Sequence, residues 1–409
     1  VHDQLTRRIG IVSSVDVSCG NAAFTNVIAG SLAALPGVSV ELLPLDLEIT
    51  QGRSRLERQQ AESHIDDLCR RIRTLDAVNI QFERGLYGPD DTSAADRLER
   101  LVEASPTTFV TYHAVRTVDP TPVRRSEALS RLAEGRPRAA VSTLRLARAS
   151  RIQAELSQRF VAAAGSRQRA MIVHTQRSAT RIRRLWPTAD VRVHPLRIVE
   201  PDRPPTTDLI GELRTRLGLP ADAVVVGVFG YLGGYKGLDT AIRALKELPS
   251  RYHLFVLGRQ HPQSIRQGEP INGSVLGPLQ LVQQLRLKRR VHFIGELGDD
   301  AFVDAAAGVD VAWLPYLEVD QDGSGIAAIT FDVARRVIAS ASFAFDELMK
   351  LIPYEGVERF DIGNHLELAQ KTVSESDGVR RPPTAYTLQT QAELYLACAT
   401  RHETGAPRR

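Results

Sequence analysis

Apolar positions in this chain fall in short runs separated by longer patterned stretches. The first run, RRIGIVSSV from Arg7, is rich in β-branched residues and predicts a strand. The turn DVSCGNAAF follows, and then a helical stretch over 25–35. VSVELLPLDL (38–47), AVNIQFE (77–83), TTFVTYHAV (107–115), AMIVHT (170–175) and DVRVHPL (190–196) predict further strands. Between them, 53–73 has amphipathic helical spacing, and 123–164 is an Arg/Ala/Leu-rich helical stretch.

A break follows. EPDRPPTTD (200–208) carries three prolines, which neither a helix interior nor a central strand accepts, so it reads as a linker. Beyond it the alternation resumes. Strands are expected at 223–232, 252–258, 290–297, 309–316 and 336–340, and helices at 238–248, 279–287, 299–308, 326–334, 366–374 and 386–401. Short strands alternating with helices predict an α/β fold of two Rossmann-like β/α/β domains. The expected division is 1–199, then 205–385, with 386–409 as a C-terminal helix and tail.

Composition narrows the class. The chain has 409 residues, 43% hydrophobic and 24% charged, which fits a globular protein with a core in each half. No apolar run reaches the ~18 residues of a membrane span. The opening VHDQLTRRIGIVSS lacks the apolar core of a signal peptide, so a cytoplasmic location is expected. Three dispersed cysteines make no C-x-x-C pair, which argues against a disulfide framework or a zinc ribbon. The net charge of +4 is mild and the arginines are scattered, so no nucleic-acid partner is expected. Lysine occurs only at 236, 246, 288, 350 and 371. The arginine excess reads as codon bias, and against it Lys236 stands out.

Two segments carry candidate chemistry. In VFGYLGGYKGLDTAIRAL (228–245) a strand runs through a glycine-rich turn and a lysine into a helix. Glycines let backbone amides approach an anion, the helix N-terminus adds positive partial charge, and a lysine adds a full one. This is neither a Walker A loop nor G-x-G-x-x-G. In VDVAWLPYLEVDQDGSGIAAITFDVARRVIAS (309–340) a strand leads through a polar loop to Gly323, Ser324 and Gly325 at a helix start. Each has a plainer reading, a solvated lysine in the first and an ordinary N-cap at Ser324 in the second. Two anion-ready turns in one domain point to a diphosphate.

The order of these elements resembles the family 4 retaining glycosyltransferases of the GT-B fold. GYLGGYKGLDTAIRAL is similar to their G-[RF]-x-x-x-x-K-G-x-x-x-x-I-x-A-L segment, LFVLGRQ to their strand ending in glycine, RVHFIGELGDD to V-x-F-x-G-x-[LV], and RVIASAS to [PR]-V-I-A-[ST]. SSVDVSCGNAAF resembles the acceptor-side loop and FVTYHAV the strand ending T-x-H. The resemblance implies two domains facing a cleft and transfer of a sugar from a nucleoside-diphosphate sugar to the hydroxyl of a glycan, lipid-linked or small-molecule acceptor. It implies retention of anomeric configuration and leaves peripheral membrane association open. It places Tyr231, Gly233, Gly234, Lys236, Gly258, Glu296, Gly323, Ser324, Gly325 and Ile326 at the donor, Glu296 through its main chain with a solvated side chain. It places His113 at the transferred sugar, as hydrogen-bond partner or proton relay. Gly20, Asn21 and Glu83 fall on the acceptor side. Asn21 also reads as an N-cap, and Glu83 as a partner of Arg84 or Arg116. His174 and His194 read as structural.

The chain departs from the pattern at two places. Tyr231 stands where the family has arginine, and the acidic pair of the donor loop and helix falls near Gln321 and Ile329. A catalytically silent nucleotide- or partner-binding relative therefore stays as the alternative. A sugar epimerase is disfavoured by the absence of G-x-G-x-x-G and of a Y-x-x-x-K pair. No cluster has metal-ligand spacing, so neither a metal nor any other cofactor is expected beyond the nucleotide sugar as co-substrate.

Overall fold

The computed structural model describes residues 6–15, 20–115, 130–131, 133–260, 271–319 and 321–401. Part of the DVSCGNAAF turn, Arg116 and parts of the 123–164 and 386–409 stretches lie outside them. Two compact units form. One takes the chain as far as His194 and again from Gln391 onward; the other is Pro195–Thr390.

The first unit holds a parallel sheet of β1 (Arg7–Ser13), β2 (Val38–Pro44), β3 (Ala77–Phe82), β4 (Thr108–Tyr112), β5 (Met171–Val173) and β6 (Val191–Val193), in the order β2-β1-β3-β4-β5-β6. Helix Arg55–Ile72 starts on a capping box, in which Ser54 accepts from the Glu57 amide and Glu57 from that of Ser54. It buries Ala61, Ile65, Leu68 and Ile72, one apolar stripe at helical spacing. The last helix, Leu388–Thr400, buries Tyr395 and Cys398 in this unit.

The second unit holds β7 (Val224–Phe229), β8 (Tyr252–Leu257), β9 (Val291–Gly295), β10 (Val311–Leu314), β11 (Val337–Ser340) and β12 (Glu358–Phe360), in the order β12-β11-β10-β7-β8-β9. Its strands bury both faces. Val225, Phe255, Leu257, Ala312 and Leu314 pack on one side, and Val226, Leu254, Val256, Val311 and Trp313 on the other. This is why these strands read as continuous apolar runs rather than alternating ones.

The units part between His194 and Pro195, ahead of the proline-rich segment. The chain just after the division is anchored by charge. Arg197, fully buried, pairs with the equally buried Asp332 at 3.0 Å and donates to the Tyr354 hydroxyl, also at 3.0 Å. Tyr354 in turn donates to Asp332 at 2.6 Å. Further on, Thr206 and Thr207 donate amides and hydroxyls to Asp304 on helix Asp299–Gly308 at 2.6–3.0 Å. Removing one partner of a buried ion pair strands the other charge, so Arg197→Met is expected to cost about 3–5 kcal/mol in denaturant unfolding. Restoring neutrality with Arg197→Met/Asp332→Leu should recover part of that loss; no recovery would mean that Asp332 is not the stranded charge.

Candidate functional site

In the second sheet β7 leads to β8 on one side and has β10 on the other. The strand order reverses between β7 and β10, and ligands of open α/β sheets bind where the carboxyl ends of such strands diverge. Both glycine-bearing segments leave the sheet there.

After β7, Gly234–Lys236 makes one 3-10 turn and Gly237 begins helix Leu238–Glu247 with no side-chain cap. Gly237 has φ +67, and a Cβ on it would lie 1.8 Å from the Pro315 carbonyl oxygen, so the turn after β7 and the end of β10 touch through backbone. Leu317 secures the contact by donating its amide to the Tyr235 carbonyl at 2.7 Å. Lys236 is thereby folded onto Tyr316. Its Nζ lies 4.0 Å from the centre of the Tyr316 ring and hydrogen-bonds the Tyr316 hydroxyl, which is 3.0 Å from Ser324 Oγ. Burial pulls the Lys236 ammonium down to about 7, against the charge of Glu318.

Ser324 caps helix Gly325–Val333 by accepting from the Ala327 amide, so the N-cap reading holds. The cap does not exclude a ligand, because the first-turn amides of a helix lack intrahelical acceptors. Ile326 closes on the other turn, its Cδ1 3.0 Å from where a Cβ of Gly230 would stand. The structure therefore groups Gly233, Gly234, Lys236, Ser324, Gly325 and Ile326, with Tyr231 in the same turn and Gly323 one residue before Ser324. Gly258 sits behind them. A Cβ there would lie 2.0 Å from the Gly230 carbonyl oxygen, so its place is close packing of β8 against the turn. The Glu296 side chain is exposed, as expected, and from there also pairs with Arg259 at 3.0 Å. Strand-end charges within reach of one another pair, and linear spacing did not bring Arg259 into view. Ile329 is buried, and Gln321 donates to the Gly323 carbonyl at 2.9 Å. Tyr316 was missed: a tyrosine after a strand reads as core, and only the fold puts its hydroxyl between Lys236 and Ser324.

In the first unit His113 follows β4. Its Nε2 is 2.7 Å from Gln81 Oε1. Gln81 donates from Nε2 to Asn79 Oδ1 (2.8 Å) and to the Tyr395 hydroxyl (3.2 Å), so its oxygen is the end left for the histidine. Thr111 donates to the same Tyr395 hydroxyl at 2.8 Å. His113 must then donate from Nε2, which leaves Nδ1 as a lone pair. Burial, with His174 alongside, holds the ring well below its ordinary value, so it is neutral. Gln81 and Asn79 are polar residues inside a strand, a visible signal that the sequence analysis did not use.

Gly20 opens helix Gly20–Ala33. Asn21, rather than capping that helix from outside, lies within it and donates to Ser13 Oγ at 2.9 Å. Glu83 lies among Phe82, Tyr112, Ser157 and Phe160 around a pocket. Arg84, one of its two expected partners, pairs with Asp91 at 3.0 Å; the other, Arg116, lies outside the described residues. Among the described residues no helix is long and apolar enough to cross a membrane.

No family model and no curated relative matches the chain. Solved structures do. HepE of Anabaena, crystallised with UDP and glucose, is 16% identical at a TM-score of 0.57, over 96% of this chain and 92% of that one. Sucrose-phosphate synthase of Thermosynechococcus elongatus is 16% identical at 0.58, over 97% and 98%. WaaG, a glycosyltransferase of lipopolysaccharide biosynthesis, is 15% identical at 0.52, over 96% and 94%. Likeness at such identities reaches the fold and stops there, and the two parallel six-stranded sheets with their helices are the Rossmann-like halves of the GT-B fold.

Proposed function

We propose that the protein is a nucleotide-sugar-dependent glycosyltransferase, moving a sugar from a nucleoside-diphosphate donor to an acceptor hydroxyl with retention of anomeric configuration. One observation carries the reading: Lys236 and the starts of two helices meet at the strand-order reversal of the second sheet. Departure of a nucleoside diphosphate builds negative charge on the phosphates. Preorganised amides and an ammonium there stabilise that charge without reorganising, and on this reading they do so without a metal ion. The UDP and glucose bound by HepE and the UDP-glucose of a second HepE structure support a nucleotide-sugar donor of this class. His113, neutral and with Nδ1 open, is assigned to the transferred sugar or the acceptor hydroxyl. The acceptor side is assigned to Gly20, Asn21 and Glu83, and the site of action to the cytoplasm.

The reading is tested by calorimetric titration with UDP, GDP and ADP without added magnesium, followed by donor hydrolysis and transfer assays over an acceptor panel. Tight nucleotide binding without turnover on any acceptor would favour the catalytically silent relative, for which Gln321 and Ile329 at the acidic positions speak.

Lys236 also sets a pH dependence. Burial pulls its pKa down to about 7 in the ligand-free chain; against a diphosphate its charged form is favoured and the pKa rises. Above pH 7 binding must therefore take up a proton, and UDP affinity should fall between pH 7 and 9, by up to about tenfold per unit. Lys236→Arg, charged throughout this range, should flatten the profile. A flat profile in the parent chain counts against the assignment of Lys236.

A further inference from the structure

A second histidine stands beside His113. His174 follows β5, is 5% exposed, and has its ring centre 5.1 Å from that of His113. Its Nδ1 is 3.0 Å from the His194 carbonyl oxygen. A carbonyl only accepts, so Nδ1 carries the proton and Nε2 of the neutral ring is a lone pair. That Nε2 is buried and has no hydrogen-bond partner among the described residues. Phe24 packs edge-on against both rings, at 5.3 Å from His113 and 5.6 Å from His174. Asn21, one helical turn before Phe24, holds a second buried acceptor, Oδ1, also without a partner among the described residues. An acceptor buried without a donor costs about 1–3 kcal/mol, so this arrangement calls for a donor from outside the described residues.

We propose that His174 Nε2, together with His113 Nδ1 and Asn21 Oδ1, forms a binding site for the hydroxyl groups of an uncharged sugar, and that His174 is a ligand-binding residue rather than a structural one. All three atoms accept, so the ligand must donate, which excludes a phosphate or carboxylate. The tautomers are set by fixed partners, the His194 carbonyl for one ring and the Gln81–Asn79–Tyr395 chain for the other. A metal ion is the other acid that two bare imidazole nitrogens attract, but among the described residues no group of three His, Cys, Asp or Glu side chains forms a metal site. The Phe24 ring adds an apolar wall beside the acceptors. The inference deepens the glycosyltransferase reading and rests on it for the identity of the sugar as substrate; the binding itself is measured without any transfer.

The test uses the full chain labelled with nitrogen-15 at histidine, with long-range nitrogen–proton spectra recorded against glucose, galactose, mannose and N-acetylglucosamine, with and without UDP. At least one sugar is expected to move the His174 Nε2 resonance. His174→Asn keeps a donor for the His194 carbonyl and deletes Nε2. It should weaken that sugar about 3- to 10-fold, the equivalent of one neutral hydrogen bond, and leave UDP binding unchanged. His174→Gln, which returns an amide near the Nε2 position, should recover part of the loss. If none of the four sugars moves the resonance while UDP binds normally, the proposal is overturned and the glycosyltransferase reading stands. Movement of both nitrogens by zinc alone, with none by sugar, overturns it in favour of a metal site. A sugar-dependent shift in a chain that binds no nucleotide would uphold this site and defeat the donor assignment.

Discussion

Lys236→Ala is expected to weaken UDP binding by about 1.5–3 kcal/mol, roughly 10- to 150-fold, while raising the melting temperature of the ligand-free protein. The first part follows from deleting a charged hydrogen-bond donor from the proposed phosphate site. The second follows from the cost of the lysine itself. Burial lowers its pKa from 10.5 to about 7, so the charged lysine penalises folding in full below pH 7, and the penalty fades as pH rises toward 10.5. Between pH 7 and 10.5 the ligand-free protein should therefore gain stability as pH rises, and the variant should lose that slope. Lys236→Met, which keeps the apolar stem over Tyr316, is expected to melt higher still, by an amount worth about 1 kcal/mol. Calorimetric titration and thermal melts over that pH range read both effects. A variant that binds UDP as the parent does would remove the glycine-rich turn from the site, and one that melts lower would show that the lysine is structural.

His113→Ala is expected to lower the transfer rate about 10²- to 10⁴-fold, the span for loss of a positioned acid or base, with donor affinity changed far less. The neutral ring offers Nδ1 as an acceptor at physiological pH, and its Nε2–H is held by Gln81 at 2.7 Å. Gln81→Leu should therefore reproduce part of the effect with His113 still in place, because the fixed tautomer is lost. Single-turnover transfer at saturating donor, set beside donor affinity, separates the two contributions. Equal losses of affinity and rate in His113→Ala would assign the histidine to binding alone. An unchanged rate would support the silent relative.

Much of this was legible along the chain. Apolar runs such as VVVGVF and HLFVL are bounded by glycine and polar residues, and a parallel sheet covered on both faces requires such runs. The two glycine-bearing turns were legible for the same local reason. Strand, glycine, lysine and helix follow one another within a few residues, and their geometry depends on neighbours in sequence. Helix starts were less so. Helix Gly20–Ala33 begins ahead of the predicted 25, and Gly273–Gln284 begins six positions ahead of the predicted 279 and runs through Pro278. The short β12 was not foreseen, because its sequence ERF has one apolar residue where β5 and β6, equally short, have three and two.

What the sequence alone determined is therefore the class of fold, the order of its elements and the two turns whose chemistry is local. What only the tertiary structure decided is which distant side chains share a hydrogen bond. Tyr395 stands 314 positions from the Gln81 that it holds, and Arg197 stands 135 positions from Asp332. No period or spacing encodes such a pair. Its partners meet because strand order and register bring them together, and the cost of burying a polar atom alone then selects the neighbour that satisfies it. The same cost marks His174, which reads as an ordinary strand-end histidine until the fold shows one of its nitrogens buried without a donor.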